Sequence, residues 1–203
     1  MAEITYQVPA GADDTYIEYG AWGGSATFVP SGSVLAFGRR AVGALNSTSL
    51  RFTSVTIPAG TYVTDARLRF VAGATETVSG CNVTVYADDS ADPTAPTDVA
   101  SFFGKTPTTN VVAWAAVPAW TAGSTYESPN LAHVVNELVR SYDYSGGRAM
   151  QFFIKEGSSP ATAQRKGTSY ESAANKAAVL VLKLAHEAGL SALGGLSGLS
   201  AMV

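Results

Sequence analysis

From Ser49 to Ala87 the chain reads SLRFTSVTIPAGTYVTDARLRFVAGATETVSGCNVTVYA. Apolar and polar side chains alternate through three runs of this stretch. Leu50 and Phe52 flank Arg51; Ala66, Leu68 and Phe70 are interleaved with Arg67 and Arg69; Cys81, Val83 and Val85 are interleaved with Asn82 and Thr84. A period of two puts one face of each run inward and one outward, which predicts three half-buried strands. Between the first two runs stands Pro58-Ala59-Gly60. Proline removes a ladder donor and glycine accepts positive φ, so the strand must break there. Three such strands in sequence need an apolar layer to face, and the rest of the chain reads as completing, capping or decorating this sheet.

Further strands are predicted over 3–8, 15–19, 33–40, 110–116, 149–155 and 177–184, with a short run around Tyr170. The glycine-rich segment 20–33 reads as a long surface loop, with a short hairpin as the alternative. The segment 87–98, ADDSADPTAPTD, is acidic, carries two prolines and has no periodicity, so it also reads as loop. One helix stands out. Ser128 is placed to cap it, Pro129 suits its first position, and Leu131, Val134, Val135, Leu138, Val139 and Tyr142 fall on one face. His133, Asn136, Glu137 and Arg140 lie off that face, and Gly146-Gly147 prevents continuation. Roughly nine or ten strands with one connecting helix predict an all-β, antiparallel two-sheet β-sandwich, a jelly roll, over residues 1–185. Residues 186–203 are surplus to it and form a short apolar C-terminal tail.

The 203 residues are 46% apolar and only 14% charged, which favours a folded domain over a disordered chain. A net charge of −3 offers no footprint for a phosphate backbone, so nucleic acid is not an expected partner. No run approaches the ~20 apolar residues of a membrane-spanning helix, and MAEITYQVPAGADDTY is not a signal peptide. The expectation is synthesis and use in the cytosol, or exit by a route other than general secretion. Cys81 stands alone, so no intrachain disulfide is available; its inward strand position reads as a small buried hydrophobe.

Few patterns suggest chemistry. His133 and His186 are the only histidines, which with one cysteine does not make a zinc site. Neither a GxSxG elbow nor a phosphate-binding glycine pattern is present. The expectation is therefore a protein that is not an enzyme and needs no cofactor. Asp88, Asp89 and Asp92 crowd one loop and Asp13-Asp14 another; calcium takes oxygens from such loops, so the first three are weak candidates for a structural Ca²⁺, against their role as turn formers. Trp22, in a glycine-rich loop, is the candidate for stacking on a glycan; Trp114 reads as core, while Trp120, Tyr126, Tyr142 and Tyr144 complete the set of aromatics considered for a platform. In the tail, Leu190, Leu193, Leu196 and Leu199 recur every three residues. Exposed together they would make an apolar contact site, so they are the candidate partner-binding residues.

Several segments also carry a family likeness. ADDTYI, SLRFTSVTIPAGTYVTDARLRF, VVAWAAVPAW, SPNLAHVVNELV with SGGRAMQFFI, and KAAVLVLKL follow one another over about residues 12–184. In this order they resemble the DNRLRE-type jelly-roll domains, which are similar to carbohydrate-binding modules of bacterial surface and secreted proteins. The variant with paired tryptophans, here Trp114 and Trp120, ahead of the helix looks like copies found in bacteriophage virion proteins. That resemblance implies a virion structural protein assembled in the host cytoplasm, most simply a capsid decoration or minor capsid protein. Its partners would be other virion proteins, such as major capsid or tail proteins, and further copies of itself. The secreted relatives imply the alternative of a carbohydrate- or receptor-binding module.

Overall fold

A computed structural model describes residues 3–21 and 24–186. These form two antiparallel sheets packed face to face, the two-sheet sandwich expected from the sequence. The smaller sheet has the order β1 (Glu3–Gln7), β12 (Val179–His186), β6 (Thr61–Val71), β9 (Thr125–Glu127). The larger runs β11 (Gln164–Thr168), β4 (Val34–Ala41), β5 (Ala44–Val55), β10 (Arg148–Glu156), β7 (Cys81–Ala87), β8 (Val112–Val117). β2 (Asp14–Gly20) also pairs with β5, and β3 (Thr27–Val29) with β2.

The three alternating runs are β5, β6 and β7. Leu50, Phe52, Ala66, Leu68, Phe70, Cys81, Val83 and Val85 all lie in the core, as their spacing requires. β5 is paired along both edges. β2 holds residues 44–50, while β4 takes 44–46 and β10 takes 48–55. Because each register overlaps that of β2, β4 and β10 must share the opposite edge. An aromatic cluster joins the two layers: Trp120 lies 5.5 Å from Phe37 of β4, 5.7 Å from Phe70 of β6 and 5.0 Å, nearly parallel, from Tyr126 of β9. Each buried ring of this size contributes about 1.5–3 kcal/mol.

The acidic segment after β7 covers the outer face of the larger sheet. There Thr15, Ser49, Phe153 and Tyr86 sit side by side across four strands. A short helix, α1 (Val99–Phe103), drops Phe102 edge-on onto Phe153 at 5.2 Å. Asp98 caps it, accepting from the Ser101 N–H while the Ser101 hydroxyl accepts from the Asp98 N–H. The stretch read as loop over 87–98 is loop beyond Ala87, and α1 begins just after it, in residues to which the sequence reading assigned no element; only the reciprocal Asp98/Ser101 cap announces it.

The main helix, α2 (Ala132–Ser141), starts later than Ser128. Residues 128–131 instead run along β6 as a stand-in for a strand. The Ser128 and Leu131 N–H groups donate to the Leu68 and Ala66 carbonyls. The Ser128 hydroxyl accepts from the Leu68 N–H, and Asn130 Oδ1 accepts from both Ala66 and Ala132 N–H. One turn later, Asn136 Oδ1 accepts from the Val63 N–H (2.9 Å) while its Nδ2 donates to the Val63 carbonyl (2.8 Å). A primary amide carries one acceptor and two donors, so a single side chain reproduces both bonds of a missing strand partner. Asn136→Ala should lower the unfolding free energy by about 2 kcal/mol in urea titration, since it leaves both groups unpaired. A loss under about 0.5 kcal/mol would mean that water or a neighbour replaces the amide.

Candidate functional site

The burial of Val134, Val135 and Leu138 fixes the orientation of α2. At 3.6 residues per turn this leaves His133, Asn136 and Arg140 in a row on its outward face. Tyr62 lies opposite that row. It follows Gly60, whose φ of +72° turns the chain from β5 into β6, and it points away from buried Val63, leaving its ring 44% exposed. Between row and ring runs a surface trough of two lobes, about 540 and 470 Å³, both bordered by Tyr62, Asn136 and Arg140. The first lobe is floored by Ile57, Pro58, Val139 and Tyr142 and edged by Asp143. The second is bounded by Asn110, Asn130 and His133.

Most polar groups around the trough are committed to the scaffold. Glu137 accepts from the Thr109 N–H (2.6 Å), the Asn110 N–H (2.7 Å) and Asn110 Nδ2 (2.7 Å), fixing the 109–110 segment against α2. Partial burial works against its charge, but the Asn110 and Thr109 donors outweigh it and hold the carboxyl below its ordinary range. Asp143 is held low chiefly by the Ser145 N–H at 2.8 Å. The Tyr142 hydroxyl donates to Asp89. By contrast, neither the Arg140 guanidinium nor the His133 imidazole has a hydrogen bond or ion pair to any described residue.

Trp22, Leu190, Leu193, Leu196 and Leu199 lie outside the described residues. Beside the loop that contains Trp22 is a hollow of about 250 Å³ bordered by Gly20, Ser25 and Arg40, where Arg40 pairs with Glu18 at 3.5 Å. The aspartates of the 88–92 loop do not act together. Asp88 accepts from the Thr106 N–H and pairs with Lys105 at 3.3 Å; Asp89 accepts from Tyr142; Asp92 accepts from the Ala149 N–H at 2.8 Å. Each carboxylate ties the loop to a different segment. Among the described residues no three Asp, Glu, His or Cys side chains converge as a metal site would require. Asp13 is likewise engaged, with Arg51 at 2.8 Å.

Trp114, Trp120 and Tyr144 are buried and half-buried Tyr126 stacks on Trp120, so these aromatics belong to the core rather than to an outer platform; of the set, Tyr142 and Tyr144 border the trough. Cys81 is fully buried, and burial pushes its thiol up to about 11, leaving it protonated and unreactive at neutral pH. The trough itself was not read from the sequence. Its signal lay in two places: the outward parity of Tyr62 after the Pro-Ala-Gly turn, and a polar helix face bearing one arginine without an acidic residue four positions before it. The chain matches no model of a known protein family and none of the curated proteins.

Proposed function

We propose that the chain is a non-enzymatic structural protein of a bacteriophage particle, a decoration or minor capsid protein that adheres to the particle through its surface and its apolar tail. The observation that carries this reading is how its long connections are held. The 88–107, 109–110 and 128–136 segments are each fastened by side chains bonded to backbone groups, through Asp88, Asp92, Glu137, Asn130 and Asn136. Rigid loops on a sandwich suit a part repeated on a lattice, where modest contacts multiply through effective concentration. The order of motifs shared with virion jelly rolls supports the same reading. Mass spectrometry of purified particles should detect the chain in stoichiometric amounts. Removing residues 187–203 should cut its incorporation at least tenfold while the thermal unfolding midpoint stays unchanged. Absence from particles, or full incorporation without the tail, would overturn the proposal.

A second reading, a carbohydrate- or receptor-binding module, is favoured by one observation: an exposed tyrosine ring and an arginine with no partner among the described residues border the same trough.

A further inference from the structure

We infer that the trough between Tyr62 and α2 is a binding site for a carboxylate-bearing sugar, with Arg140 gripping the carboxylate and the Tyr62 ring stacking on the sugar face. This rests on the second reading above and adds the class of ligand. Among the described residues, Arg140 and His133 are the only ionisable side chains in the lobe toward His133 apart from the Tyr62 phenol, and no described aspartate or glutamate borders it. Nearby Glu137 is engaged by three N–H donors of Thr109 and Asn110. On a chain with a net charge of −3, this lobe is therefore a local cationic cleft. A guanidinium presents a planar fork that matches a carboxylate in two parallel hydrogen bonds, and no described residue takes any of Arg140's donors.

The Tyr62 ring supplies a flat apolar surface on the opposite wall, and a lobe of about 470 Å³ has room for two or three sugar rings. An acidic peptide could use the same charge, but peptides gain most of their grip on a sandwich by adding a strand to an open edge. Here the exposed edge of β6 is already saturated by Ser128, Asn130, Leu131 and Asn136. What remains free is side-chain chemistry suited to a ring with a charge.

The test is calorimetric titration of the full chain with short oligosaccharides of galacturonate, glucuronate and N-acetylneuraminate, each beside its methyl ester. At least one acid should bind saturably and at least tenfold more tightly than its ester. Arg140→Ala should bring that acid down to the ester's affinity, Arg140→Lys should recover part of it, and Tyr62→Ala should weaken acid and ester alike. Both positions are surface-exposed, so circular dichroism should confirm folding. Equal binding of acid and ester, or no effect of Arg140→Ala, overturns the inference while leaving sugar binding intact. Failure of every acid, ester and neutral oligosaccharide removes the second reading with it. Stronger competition by pentaglutamate than by the sugars would assign the trough to a peptide instead.

Discussion

Replacing Arg165 with alanine should reduce the unfolding free energy by about 3–5 kcal/mol, a large part of the ~5–15 kcal/mol available to a typical domain. Arg165 is completely buried in β11, yet among the described residues it has no carboxylate within ion-pair distance. Its Nε donates to the Pro118 carbonyl, its Nη2 to Val117 and its Nη1 to Gln164, each at 2.6 Å. β11 and β8 stand at opposite ends of the larger sheet's pairing path, and Val117 is the last residue of β8. The guanidinium therefore ties one end of that sheet to the other across the core. Burial drags its pKa down, but an arginine remains charged at any ordinary pH, so the cost of desolvation is offset by these three bonds and by the nearby charge of Glu76. Alanine would leave a void and take this donor from three carbonyls, two of them at the close of β8. Arg165→Lys keeps the charge and loses the fork, so it should recover little. Urea unfolding should show a lower midpoint with an unchanged slope. A loss below about 1 kcal/mol would mean the sheet ends are held by other contacts.

That arginine also marks where sequence reading stops. The strands were legible because alternation at Leu50/Phe52, Leu68/Phe70 and Val83/Val85 reports burial directly, and burial is what the sandwich is made of. Position 165 lies in QRKGT, which has no such pattern, because β11 buries a charged side chain instead of an apolar one. Ser128 misled for a related reason. Serine before proline is a helix-start signal, but a backbone partner on β6 was available only in three dimensions, and it claimed the hydroxyl and delayed the helix to Ala132. The aspartates at 88, 89 and 92 were legible as a cluster in sequence and are dispersed in space, since a loop can point consecutive carboxylates at different neighbours. The trough was illegible because it is made of what two elements leave uncovered. Tyr62 and Arg140 are 78 positions apart and each, alone, reads as ordinary surface.

Asp14→Asn should make the protein more stable above neutral pH, by on the order of 3 kcal/mol, and should leave it nearly unchanged near pH 4. Asp14 is buried at the start of β2. One carboxyl oxygen accepts from the Tyr170 N–H at 2.7 Å, and the other has no hydrogen-bond partner among the described residues. Burial is the main force that lifts its pKa, to about 7, opposed by the Tyr170 bond and reinforced by the nearby charges of Glu171 and Asp13. The unfolded chain ionises this group near its ordinary 3.8. Below that value both states hold the proton and Asp14 contributes nothing to pH dependence. Between about 4 and 7 only the folded state holds it, so stability falls as pH rises; above 7 both states are ionised and the loss levels off. Asparagine keeps the oxygen that Tyr170 needs and carries no charge, so its profile should lack this decline, and the two curves should separate steadily from pH 4 to 7. Parallel curves for parent and variant would mean that Asp14 ionises without penalty. A variant destabilised equally at every pH would mean that its new amide N–H groups lack acceptors beside Glu171, and Asp14→Ser, which buries no amide, would then have to show the lost pH dependence for the charge argument to stand.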